Sequence, residues 1–183
     1  MAYNGPNAVA FAQRQSGRYG DGECWTLVEN TIVASGGKSS RVLTPNFSAT
    51  SPYVWGTSVM PAALQAGDAL QFLRYEWIKY ISVEVTNPDG SSTTDTTEES
   101  NTRGEPNHSA LVVRALGSGM VEVIEQNIPA NSGRVQTVTL PLTAPPDSSV
   151  TTTTGVAGGN RVTVTTTTHS VTGTVRCYRP ISA

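Results

Sequence analysis

The chain has 183 residues, enough for one domain with a real core and no need of disulfide staples. Hydrophobic residues make up 37% and charged residues only 14%; Thr, Ser, Asn and Gly fill the difference, which points to exposed β structure and away from disorder. With 12 basic and 14 acidic residues, a net charge of −2 and no Lys/Arg cluster, the sequence argues against nucleic acid or an anionic membrane surface as partner.

The N-terminus, Met1-Ala-Tyr-Asn-Gly-Pro6, shows no basic region followed by an apolar run, and no stretch reaches the roughly 18 continuous apolar residues of a membrane span. The expectation is a chain made without a Sec signal, or one that has lost it, acting outside the cytoplasm after delivery. Residues 6–16 predict a first helix: Pro6 suits the first helical position, Ala, Val and Phe supply an apolar stripe, and Gly17 ends it.

The stretch Tyr19-Gly-Asp-Gly-Glu-Cys24-Trp25 then leads into a second helix over about 24–35, with Trp25, Val28 and Ile32 at helical spacing and Gly36-Gly37 as the stop. Cys24 falls on the first turn, where the positive end of the helix and its unpaired N–H groups favour an anionic sulfur and can receive an oxyanion. Such a nucleophile needs a base, and the chain has two histidines to offer, His108 and His169.

Residues 37–66 hold Pro45, Pro52 and Pro61 and read as irregular, with Tyr53 and Trp55 as core plugs or substrate platforms. Gly67-Asp-Ala-Leu-Gln-Phe72 enters a strand. Residues 74–103, with the turn Asn87-Pro-Asp-Gly90, read as a protruding hairpin with an acidic solvated face. Three strand-like runs follow, opening at His108, Met120 and Arg134. A second insert, 142–172, is a Thr-rich ribbon with weakly specified register, and a last strand over 173–179 carries Cys177 as a buried core thiol. Helices first and antiparallel strands afterwards give an α+β class for a single domain spanning 1–183.

His108 opens its strand, so its imidazole lies at the rim of the sheet. If a hairpin closes at Gly117-Ser-Gly119, Asn127 comes to lie near residue 109, and Glu125 and Asn127 share one face beside His108. Either could orient the imidazole and leave its other nitrogen for the thiol. Alone, a strand-end His and a single Glu are ordinary surface residues; together with Cys at a helix start they define a nucleophilic site. His169, inside the Thr-rich insert, lacks such company. No zinc spacing, phosphate loop or dinucleotide fingerprint occurs, so neither metal nor cofactor is expected.

Five pieces, Gly20-Asp-Gly-Glu-Cys24-Trp, Gly67-Asp-Ala-Leu-Gln-Phe72, Asn107-His108-Ser-Ala-Leu-Val, Glu125-Gln-Asn127 and Tyr178-Arg-Pro, resemble the CHAP domain family in their motifs and order. These are cysteine- and histidine-dependent amidohydrolases and peptidases related to NlpC-type papain-like enzymes. The resemblance implies a papain-like fold, N-terminal helices on an antiparallel sheet with two β-hairpin inserts. It makes Cys24 the nucleophile, His108 the base, Glu125 the orienting third member and Asn127 an accessory polar group. The implied substrate is a peptidoglycan amide, cut by an amidase or endopeptidase. Some members hold calcium on clustered Asp residues near the nucleophile; here Asp21 stands alone and calcium is not carried over. Two other readings stay open: a catalytically silent binding or assembly module using the Thr-rich ribbons, and a cysteine acyltransferase or deamidase. No immunity or delivery partner can be named from the sequence.

Overall fold

The computed structural model describes residues 2–48 and 50–183, and of Glu105 the backbone alone. Helix α1 (Gly5–Gln13) is capped by Asn4, whose side chain accepts from the Asn7 N–H, and has Pro6 in its first turn. It stops before the expected residue 16 because the Arg14 and Gln15 N–H groups turn back in tight bonds to Phe11 and Ala12. Helix α2 (Cys24–Ala34) buries Leu27, Val28 and Ile32. Gly36, in the left-handed region at φ 85°, and a 2.8 Å bond from the Gly37 N–H to the Ile32 carbonyl end it. A short α3 (Ser40–Leu43), a two-residue β1 (Thr57–Ser58) and a 3-10 turn (Pro61–Ala63) break up the passage expected to be wholly irregular.

All strands pair antiparallel in one sheet. It contains β1, β2 (Ala69–Thr86), β3 (Ser92–Gly117), β4 (Met120–Gln126), β5 (Val135–Pro141), β6 (Ser148–Val156) and β7 (Gly159–Arg179). The order is β1-β7-β2-β3-β4-β5, and β6 pairs with the far part of β7. Among the described residues strand accounts for 52% and helix for 15%, the 3-10 turn included. This corrects the expected α+β, papain-like architecture: the fold is sheet-dominated.

The physical reason lies in the two segments read as inserts. They are not separate hairpins on a smaller core but continuations of the core strands, and they pair with each other. Beyond a bulge at Arg74, β2 runs on from Glu76 to Thr86 with β3 on one side and Val162–Thr172 of β7 on the other. With β6 added, the 74–103 and 142–172 segments form one four-stranded extension. Its central span, Glu76–Thr86, is roughly 35 Å long at about 3.3 Å per residue. The junction is marked by Gly173 (φ 78°), where an added Cβ would stand 2.1 Å from the Arg74 carbonyl oxygen.

The proximal sheet is apolar on both faces. One face packs Ala69, Leu111 and Ile124 under Ala8, Ala12, Leu27, Val28 and Ile32 of α1 and α2, with Trp55 fully buried beside them. The other gathers Leu70, Phe72, Tyr75, Ala110, Val112, Val123, Leu140 and Cys177. The sheet coils far enough for the Tyr75 hydroxyl on β2 to donate to the Pro141 carbonyl at the end of β5, at 2.5 Å. Cys177 is a free, buried thiol, and burial, with the nearby Asp68 charge, pushes its pKa up to about 11. Among the described residues no helix is long and apolar enough to cross a membrane.

Candidate active site

The approach to Cys24 is a tight turn. Gly20 (φ 58°) and Gly22 (φ 89°) take left-handed conformations, and the Gly22 N–H bonds the Tyr19 carbonyl at 3.0 Å. The turn is pinned to the sheet by Gln126 Nε2, which donates to the Tyr19 carbonyl at 2.8 Å. Asp21 accepts the Glu23 N–H, so it serves the turn and does not cap the helix. Glu23 holds the N-cap position in an extended conformation with no side-chain cap. The first N–H groups of α2 therefore stay available beside the half-buried Cys24 sulfur.

His108 lies on β3 opposite Phe72 and is 4% exposed. Its Nε2 sits 3.0 Å from Glu125 Oε2, and Cys24 lines the same cavity beside the ring. Glu125, fully buried on β4, is saturated. Arg103 clamps it with Nε on Oε2 and Nη2 on Oε1, both at 2.8 Å, and Gln136 Nε2 on β5 donates to Oε1 at 3.0 Å. Burial alone would depress the His108 pKa. Hydrogen bonding and charge from Cys24 and Glu125 outweigh it and raise the value to about 9. Burial works to raise Glu125 as well, and His108⁺ and Arg103 overcome it, holding the carboxyl below its ordinary range. Both shifts favour a charged imidazole, held beside an anchored carboxylate and near a sulfur.

Two cavities meet at Cys24. One, of about 590 Å³, is lined by Asp21, Cys24, Trp25, Arg41, Phe47, Tyr53, Gln71 and Ser109 among others. Trp25, Phe47 and Tyr53 form an aromatic wall there, with the Arg41 guanidinium 4.4 Å from the Trp25 ring centre. The other, of about 550 Å³, runs past His108 to Ser100–Gly104 at the base of the extension and to Asn127–Ala130.

Of the expected site residues, Cys24, His108 and Glu125 come together. Asn127 lines the cavity beside them, but its side-chain hydrogen bonds go to Glu23 and Gly133 and not to the imidazole. The hairpin register assumed two plain strands, but bulges at Val112/Arg114 and Ala115/Gly117 shift it, and Glu125 pairs with Ala110. Glu125 thus reaches His108 diagonally, while Asn127 leaves the strand at φ 73°. The Asn127 side chain donates to Glu23 at 3.2 Å and accepts the Gly133 N–H at 3.1 Å, which ties the turn after β4 to the start of α2. His169 pairs opposite Lys79 out on the extension, away from the site.

Arg103, Gln136 and Gln71 escaped the sequence reading. Strict alternation puts Arg103 and His108 on opposite faces; the bulge of Leu73/Tyr75 against Arg103–Asn107, with Gly104 at φ 81°, brings them to the same one. Gln136 needed the β4–β5 register, in which it stands opposite Glu125. Asp68 of the Gly-Asp motif is structural, paired in two contacts with Arg179. Comparison with family models, curated proteins and solved structures gives no match for this chain.

Proposed function

We propose that the chain is a cysteine-dependent amide hydrolase acting on peptidoglycan, with Cys24 as nucleophile. The observation that carries this is the buried chain of contacts from Arg103 through Glu125 to His108, with half-buried Cys24 in the same cavity beside the imidazole at the start of α2. A positively charged imidazole beside the sulfur stabilises a thiolate, which attacks the carbonyl carbon of the amide. The carbonyl oxygen gains the negative charge and is received by N–H groups at the helix start. His108 gives its proton to the departing amine, and the acyl group remains on sulfur as a thioester. Water then attacks, His108 takes its proton, and the acid is released with the thiolate restored.

The substrate class rests on the resemblance of the motif order to the CHAP family. The aromatic wall and the cleft along Ser100–Gly104 leave room for an extended ligand on both sides of Cys24. The test is digestion of purified cell wall by the protein and by Cys24→Ala, with new amine ends identified by mass spectrometry; identical digests would reject the hydrolase.

One observation favours a second reading. The strand β6 is exposed along nearly its whole length and leaves an open edge on the extension, a template for strand addition by another chain. If binding were the sole function, Cys24 would alkylate with iodoacetamide at pH 6 no faster than buried Cys177.

A further inference from the structure

We propose that Gln71 is a catalytic residue of this site, its side-chain Nε2 donating to the oxyanion that forms when Cys24 attacks a carbonyl. The inference rests on the reading of Cys24 as an acyl-accepting nucleophile. Gln71 stands on β2 opposite Ser109 of β3, on the sheet face that carries the helices, and is fully buried. Its Oε1 accepts from Trp55 Nε1 at 3.2 Å and from Ser109 Oγ at 2.8 Å.

An indole N–H can only donate, so the amide oxygen must face Trp55 and the orientation of the Gln71 amide is settled by chemistry. The NH₂ group is turned the other way, and it has no partner among the described residues. A buried amide donor left unpaired costs about 1–3 kcal/mol, a cost that a partner arriving with the substrate would remove.

The location singles it out. Gln71 lines the cavity that Cys24 also lines, next to the uncapped start of α2. None of the other buried polar atoms without a partner lines it: Trp77 Nε1 and His169 Nδ1 belong to the extension, the Thr26 and Thr31 hydroxyls lie within α2 and outside the cavity lining, and the free atom of Gln126 is an acceptor. A carbonyl oxygen held by the first N–H of α2 thus meets a second donor from the sheet side, fixed in advance by Trp55 and Ser109. Preorganised donors of this kind act on the charge that develops in the transition state.

The test compares two electrophiles. Iodoacetamide alkylates a thiolate by displacement, with no oxyanion. p-Nitrophenyl acetate acylates it through a tetrahedral oxyanion, forming the acetyl thioester and releasing p-nitrophenolate. In Gln71→Met and in Gln71→Glu, which keeps an acceptor for Trp55 and Ser109, acylation of Cys24 is expected to slow about 100-fold. Alkylation should stay within about threefold, the scatter expected of a folded variant. Acylation near the wild-type rate, or both rates falling together, would overturn the proposal.

A measurement on the wild type needs no variant. N-acetylglycinal adds to Cys24 as a hemithioacetal, the S–H adding across the aldehyde carbonyl, and the Gln71 side-chain NH₂ signals of ¹⁵N-labelled protein should then shift. Unmoved signals with the adduct formed would overturn the assignment. If wild-type Cys24 reacts with neither acyl electrophile nor aldehyde, the nucleophile reading falls with it. Acylation without wall cleavage removes the substrate class alone.

Discussion

Replacing Arg103 by Met would remove two of the four hydrogen bonds that saturate Glu125 and leave a carboxylate, itself 0% exposed, without its cation. Breaking a buried ion pair on one side costs about 3–5 kcal/mol, against about 5–15 kcal/mol for the whole stability of an ordinary domain. With a urea m-value of about 2 kcal/mol per molar, that is a drop of about 2 M in the unfolding midpoint at pH 7. His108 and Gln136 remain on Glu125, so the lower end of the range is the expected one. Arg103→Met combined with Glu125→Met removes both charges and should recover at least about 2 kcal/mol of the loss, a coupling that independent sites do not show. A single-variant loss under about 1 kcal/mol, or a double variant that is simply the sum of two losses, would refute the clamp.

The pH dependence of stability follows from His108. Its folded pKa is raised from 6.5 to about 9, so its contribution is full below about 6.5 and is lost as pH climbs through about 9. That span corresponds to about 3 kcal/mol at about 1.36 kcal/mol per pH unit, and urea titrations from pH 6 to 10 should show it in wild type and not in His108→Gln. Glu125 works on the other side: its pKa is lowered, so its contribution is present above 4.5 and fades as pH falls below it. Glu125→Gln should reduce wall turnover far more than Asn127→Ala, because Asn127 touches Glu23 and Gly133 and not the imidazole; the reverse order in a turbidity assay would exchange their roles. Removing 151–168 alone uncovers the distal edge of β2, and sedimentation should then reveal self-association. Shortening 78–100 in the same chain should reverse that gain, and a single deletion that sediments as the wild type does would contradict the shared sheet.

Local signals were legible where chemistry and local geometry coincide. Gly20 and Gly22, the apolar spacing of Trp25, Val28 and Ile32 and the Gly36-Gly37 stop marked α2 with its first residue correct, and they placed Cys24 on the first turn. Glu125 on the strand beside His108 was also readable, but His108 does not open its strand: β3 begins at Ser92 and carries the imidazole, buried, well inside it. Long-range register was not legible. Two-sided runs of Thr and Val fit a pleated strand without saying which neighbour they join, so the two segments looked like separate hairpins when they share β2. Bulges are equally silent. One at Arg74 and Gly104 hid Arg103, and the pair at Val112–Gly117 misplaced Asn127 by a step. Gln71 carried no pattern of its own; only the fixed Trp55 contact reveals its free amide.

The most direct measurement is wall digestion in H₂¹⁸O by wild type and Cys24→Ala side by side, with both new ends of each cut identified by mass spectrometry. Hydrolysis through a Cys24 thioester predicts new amine ends in the wild-type digest alone, each matched by a carboxyl end that has gained one ¹⁸O. The same ends in the Cys24→Ala digest, or no new ends from a folded wild type whose Cys24 alkylates readily, would contradict it.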